Sequence, residues 1–200
     1  MKYLFLFLII TATNSFAQDY KTQLATHREK YKADFLSDAH SPLKQEDLKN
    51  LHFYDADSTY AVNASIQLLF NEPTFKMPTF NGSSAEYVRF AFLKFTLKGK
   101  PMQLTLYKSI SLSQIPEYQD YLFLPFTDET NSKETYGGGR YIDLRYKDAK
   151  DGHIQLDFNK AYNPYCAYSA GYHCPVPPQA NDMPVKIEAG EMQYTGEKMH

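Results

Sequence analysis

Two stretches of the chain combine residue types that can do chemistry. Thr135-Tyr136-Gly137-Gly138-Gly139-Arg140-Tyr141-Ile142-Asp143 sets three consecutive glycines beside an arginine. Such a run has a large ordering cost, so it calls for positive φ, a close backbone approach or mobility. Its spacing is not that of a phosphate-binding GxxxxGK(S/T) loop, and strand rather than helix character follows it. It reads either as a tight loop entering a strand or as a backbone wall against a ligand, with Tyr136 and Gly138 beside it and Arg140 as anion contact. The second stretch, Asp157 to Pro178, crowds Asp157, Asn159, Tyr162, Asn163, Tyr165, Cys166 and Tyr168 among prolines and ends in Cys174-Pro175-Val176-Pro177-Pro178. Rigid loops bearing polar and aromatic groups commonly build sites on β scaffolds. The competing reading is a structured cap whose Asn side chains satisfy its own turns and whose Tyr rings cover one end of the core.

Familiar catalytic patterns are missing. The sequence has no GxSxG elbow and no HExxH pair, and His27, His40, His52, His153, His173 and His200 are scattered. Asp143 and Asp157 fall on consecutive expected strands and suit acid–base work. That keeps open a metal-independent hydrolase using Asp157 or Asp143 beside Arg140. The cysteines, Cys166 and Cys174, lie close together, and in an oxidising compartment the simplest reading is a disulfide closing a short loop. A zinc site would need two further ligands, of which His173 is the local candidate; two free or separately buried thiols are the remaining option. A cysteine hydrolase would require a reduced thiol. No metal and no cofactor are expected.

These groups need a scaffold. In Asp19–Leu36, Leu24, Tyr31 and Phe35 recur at helical spacing. Ser41-Pro42 has the form of an N-cap with proline at the first helical position, predicting a short helix through Leu51. From Tyr60 the period becomes two: Val62, Ala64, Ile66, Leu68 and Phe70 alternate with polar residues. Glu86–Leu97 reads as a longer strand with Val88, Phe90 and Phe92 on one face. Phe95 and Leu97 fall out of step, which places a bulge near Leu93-Lys94. Lys98-Gly99-Lys100 turns the chain into a return strand with Met102, Leu104 and Leu106. Further strands are expected at Tyr121–Phe126, Tyr141–Tyr146 and His153–Phe158, the last two joined around Asp151-Gly152, and at Val185–Ala189. The fold class is mainly β (α+β): an antiparallel β-sandwich or barrel-like domain with one or two N-terminal helices.

The ends and composition set the compartment. Lys2, the apolar run Tyr3–Ile10, the polar Thr11–Asn14 and Ser15-Phe16-Ala17 read as a cleavable secretory signal peptide spanning 1–17. The apolar run is shorter than the roughly 20 residues that cross a bilayer, so a retained anchor is the weaker alternative. The expected organisation is therefore a signal peptide (1–17), an N-terminal helical segment (18–52) and a β-rich domain (53–200). The protein is placed in the periplasm or outside the cell after cleavage near Ala17, with no membrane span thereafter. A formal charge of −2 without basic blocks argues against nucleic-acid binding. Seventeen tyrosines and fourteen phenylalanines, with no tryptophan, suit strands and clefts equally.

Pro125-Phe126-Thr127-Asp128, Lys133 to Tyr141, Asp157 to Tyr168, Cys174 to Pro178, Asn181, Pro184-Val185 and Ala189-Gly190-Glu191 together resemble the DUF1684 family, from roughly Asp38 onward and in bacterial, exported form. The resemblance implies no reaction. It implies that the glycine loop and the Asn/Tyr/Cys loop belong together. The leading expectation is a small-ligand pocket formed by the Gly137–Gly139 and Asp157–Cys174 loops. Tyr136, Gly138, Arg140, Asp157, Asn159, Tyr162, Asn163 and Tyr168 would contact a small polar, carbohydrate-like ligand. A structural or protein-interaction module is the third reading. Ligand identity and oligomeric state are not legible.

Overall fold

The computed structural model describes residues 2–198, with side chains from Gln18 onward. A helix, α1, runs over Lys2–Ser37. In its described part Leu24, Tyr31 and Phe35 line the face turned to the body, with Leu24 and Phe35 buried. The side chains of the expected signal peptide lie outside the described residues. The second helix does not form. Residues 41–51 make turns, with a single 3-10 turn at Leu48–Asn50. Ser41 Oγ accepts from the Leu43 N–H at 3.1 Å and Asp47 accepts from the Lys44 N–H at 2.8 Å. Short polar side chains here close local turns in competition with the helix ladder.

Eight strands follow: β1 (Ala61–Leu68), β2 (Phe75–Pro78), β3 (Ser84–Leu97), β4 (Lys100–Ser109), β5 (Tyr121–Asp128), β6 (Arg140–Arg145), β7 (His153–Asp157) and β8 (Asp182–Met183). They form one sheet in the order β6-β5-β4-β3-β1-β7, with β2 added to β3 and β8 to β5. All pairs are antiparallel except β5 with β8. The sheet curls into a half-barrel around one large apolar cluster, so the barrel-like member of the two expected architectures is the one adopted. Beyond β7 the chain returns to the other edge, where Tyr141 and Tyr162 exchange both backbone hydrogen bonds at 2.9 and 3.0 Å.

The β3–β4 hairpin turns at Lys98 (φ +47°) and Gly99 (φ +78°), the two positive φ values that a two-residue hairpin loop needs. The bulge lies at Phe90, between the Arg89–Tyr107 and Ala91–Leu106 pairs, rather than at Leu93-Lys94. An extra residue inverts the alternation. Past it, Ala91, Leu93, Phe95 and Leu97 all face the half-barrel core; before it, Tyr87 points to the opposite face. Val88, Phe90 and Phe92 are each only half-buried, with Phe90 packing against the main core, so the inversion at the bulge breaks the single face that their spacing suggests.

Both faces of β5 are covered. Leu122, Leu124 and Phe126 enter the main core, while Tyr121 and Phe123 join Tyr87, Tyr107 and Tyr141 in an aromatic cluster on the reverse side. β6 follows the same rule, Ile142 and Leu144 inward and Tyr141 outward. The expected strand at Val185–Ala189 is absent. Met183, Ile187 and Ala189 plug the main core; the Val185 carbonyl accepts from the Glu129 N–H just past β5, but those of Ile187 and Ala189 bond to the Arg140 side chain instead of to a neighbouring strand. Asn181 occupies the gap between β4 and β5, accepting from Thr105 N and donating to Thr105 O and Pro125 O at 2.7–2.9 Å.

Candidate functional site

The residues singled out in the sequence divide into two sets. Arg140 is fully buried. It pairs with Asp128 at 2.8 Å, donates to the carbonyls of Ile187 (2.9 Å), Glu191 (3.2 Å) and Ala189, and lies over the Phe126 ring. It fastens the C-terminal segment to β6 and does not border the large cavity described below. Gly139 has φ +86°, and a Cβ there would sit 2.6 Å from the Phe126 carbonyl and 2.8 Å from Pro177. Gly138 is covered by the rings of Tyr136 and Phe80. The close approach that the glycine run calls for is thus to the protein itself.

The Asn side chains are similarly engaged. Asp157 Oδ1 accepts from the Asn159 N–H and from Asn159 Nδ2, both at 3.0 Å, and from Tyr20 of α1 at 3.0 Å. Asn159 Oδ1 accepts from the Asp57 N–H and its Nδ2 donates to Asp57 O. Asn163 Nδ2 donates to Met192 O at 2.8 Å. Tyr168 donates to Glu191 Oε1 at 2.6 Å, and Glu191 Oε2 accepts from Tyr31 (2.9 Å) and from the Asn163 N–H (2.8 Å). Burial pushes the Glu191 carboxyl up to about 7 against the pull of these donors. The disulfide is not formed. Cys166 and Cys174 are buried free thiols, with the Cys166 N–H donating to Cys174 Sγ at 3.2 Å and Cys166 Sγ to Tyr172 O at 3.3 Å. These bonds, with the edge-to-face Tyr165–Tyr172 pair at 5.2 Å, close the loop without a covalent staple. Burial raises the Cys174 thiol to about 12, the wrong direction for a nucleophile. Among the described residues no three His, Cys, Asp or Glu side chains are grouped to hold a metal ion.

A cavity of about 1060 Å³ opens on the reverse face of the sheet. Its walls are α1 (His27 to Phe35), strands β5 and β6, and the segment from Asn159 to Pro175. Of the eight expected ligand contacts, Asn159 and Tyr162 line it; Tyr136, Gly138, Arg140, Asp157, Asn163 and Tyr168 do not. Its aromatic lining comes from strand alternation: Tyr121 and Phe123 on β5, Tyr141 on β6 and Tyr87 on β3 share this face. Phe123 and Tyr141 stack edge-to-face at 4.8 Å, and Tyr141 and Tyr162 at 5.9 Å.

Asp143 sits among them, paired across the ladder with Phe123. Its side chain is deep and yet open, enclosed by neighbouring protein but exposed to the cavity. Tyr121 and Tyr162 both donate to Oδ1 at 2.7 Å; no described residue bonds to Oδ2. Desolvation raises the acid above its ordinary range, against the pull of the two phenols and of Arg145. Burial, and then the charge of Asp143, lifts Tyr87 to about 12. Arg145, on the same face of β6, is held by Asp120 Oδ1 (2.9 Å) and Glu117 O (2.6 Å) and lies over the rings of Tyr118 and Tyr121. Asp143 was legible as an acid on a strand; the tyrosines that converge on it from three strands and a loop share no sequence motif.

A family model described as a protein of unknown function, DUF1684, matches residues 46–192. The solution structure of an uncharacterized protein of Haloarcula marismortui is similar in fold, with 33% identity and a TM-score of 0.66, covering 90% of this chain and 97% of that one. No curated protein matches. Among the described residues no helix is long and apolar enough to cross a membrane.

Proposed function

The chain belongs to the DUF1684 family, whose members are proteins of unknown function, and from that premise we propose that it is a binding domain for a small ligand, held in the aromatic cavity on the reverse face of the sheet. The observation that carries this reading is Asp143: a recessed carboxyl group with one oxygen fixed by two tyrosines and the other open to the cavity. Binding sites are commonly apolar concavities with a few convergent polar groups that fix orientation, and the volume is large enough for a drug-sized molecule. The Asp157–Cys174 loop contributes the outer wall through Tyr162, Pro164, Tyr165 and Tyr172. The Gly137–Gly139 loop acts as scaffold. A hydrolase using Asp143 with Asp157 and Arg140 has less support, because the latter two are committed to internal bonds.

The test is a fragment titration followed by amide and aromatic NMR shifts. Shifts centred on Phe123, Asp143 and Tyr162 are expected. Shifts confined to the glycine loop, or none from a broad library, would overturn the assignment.

We further propose that the protein is exported and cleaved after Ala17. Tyr20, just past that point, already bonds to Asp157, so cleavage leaves the anchorage of α1 intact. N-terminal sequencing of the periplasmic protein should begin at Gln18; a retained Met1 would refute cleavage.

A further inference from the structure

The hydrogen-bond polarity of the cavity narrows the ligand class, an inference that rests on the cavity being the binding site. Tyrosine hydroxyls each have one proton to give, and in this lining nearly all are committed to the protein. Tyr121 and Tyr162 give theirs to Asp143 Oδ1. Tyr141 donates to Pro175 O, Tyr165 to Asp38 at 2.9 Å, and Tyr172 to His40 O at 2.7 Å. Tyr31 is bound to Glu191. Of the cations that line the cavity, Arg145 is held by Asp120, Lys30 by Asp34 at 2.9 Å and Arg28 through one nitrogen by the Tyr54 carbonyl at 2.8 Å, while Lys160, beyond Asn159 on the loop, stands 4.0 Å from Asp157. Around Asp143 the surface therefore presents oxygen lone pairs and aromatic rings, with Tyr87 as the hydroxyl left to donate.

A ligand for such a surface must bring the donors. A sugar hydroxyl needs acceptors and donors in equal measure and would leave its own oxygens poorly matched. A protonated amine brings only N–H donors, one for the open carboxylate oxygen and others for phenol lone pairs, and its charge is attracted to ring faces. We propose that the cavity binds a small organic amine in its protonated form, with the ammonium on Asp143 Oδ2 and the ligand body against Phe123, Tyr87 and Tyr141.

The probes are 2-phenylethylamine and its neutral isostere 2-phenylethanol, with methyl glucoside as the carbohydrate arm. Each is titrated into the wild-type protein by calorimetry and ligand-observed NMR. The amine should bind at least tenfold more tightly than the alcohol, with shifts at Asp143 and Phe123. Asp143→Asn, nearly isosteric, should reduce amine affinity at least tenfold and leave the alcohol within about twofold. If that variant fails to fold, the amine-to-alcohol ratio in the wild type decides alone. Equal or tighter binding of the alcohol or the glucoside at the same residues overturns the amine assignment while the cavity reading stands. Amine binding that shifts other residues, or no binding of any probe, overturns the amine assignment, and in the latter case a silent fragment library removes the cavity reading as well.

Discussion

At Gly139 the backbone turns through φ +86° with the Phe126 carbonyl where a Cβ would lie. Gly82 has nearly the same φ, +83°, and open space around it. Alanine at Gly82 should cost only the left-handed strain of about 1 kcal/mol, and alanine at Gly139 that strain plus displaced packing, about 2–4 kcal/mol in all. Urea unfolding of the two variants measures the difference; equal losses would mean that the glycine loop is not packed as described. Arg140 makes the companion case. Arg140→Met strands the Asp128 carboxylate in the interior and should destabilise the fold by about 3–5 kcal/mol, where loss of a surface ligand contact would leave unfolding unchanged. The glycine run and its arginine were legible as residues under strong constraint. Composition alone does not say whether the constraining neighbour is a ligand or the protein's own C-terminal segment, because both demand the same small residue and the same charge.

Among the elements, those with a regular local period were readable: α1 from Leu24, Tyr31 and Phe35, β1 from its alternation, the β3–β4 hairpin from Lys98-Gly99. Elements whose hydrogen bonds go to side chains were not. Residues 41–51 look helical until Ser41 and Asp47 take the backbone amides. Val185–Ala189 looks like a strand until the carbonyls of Ile187 and Ala189 meet a buried guanidinium 47 and more residues away in sequence. The bulge was foreseeable in kind but not in place, since Phe90 and Phe92 are as apolar as the core residues beside them. The strandless C-terminal segment makes its own prediction. The Ile187 N–H donates to buried Asp128 and the Glu191 N–H to Ala161 O, so both amides should exchange with solvent as slowly as the central β3–β4 ladder. In Arg140→Met they should become fast while the ladder stays protected. Hydrogen exchange by NMR reads both, and fast exchange in the wild type would remove the clamp.

Taken whole, the molecule ties its first helix to its last residues through one buried acid, Glu191, which receives Tyr31 from α1, Tyr168 from the loop and the Asn163 amide. The acid titrates near 7 in the folded chain and at about 4.5 when unfolded. A carboxyl group with a raised folded pKa contributes its full stability below the unfolded value and loses it as pH climbs through the folded one. Stability from this group should fall between about pH 4.5 and 7, by roughly 3 kcal/mol in total. Asp143, also raised, adds a decline of the same sign. His27, lowered by burial, adds stability as pH rises towards 6.5. The wild-type curve is therefore a sum of opposing slopes, and the difference between wild type and Glu191→Gln isolates the buried acid. That difference should be largest at pH 4.5 and shrink steadily towards pH 7 in thermal unfolding. A pH-independent difference would mean that Glu191 stays ionised in the fold, held as a carboxylate by its three donors, and the coupling of helix to C-terminus would then be electrostatic rather than that of a neutral, hydrogen-bonded acid.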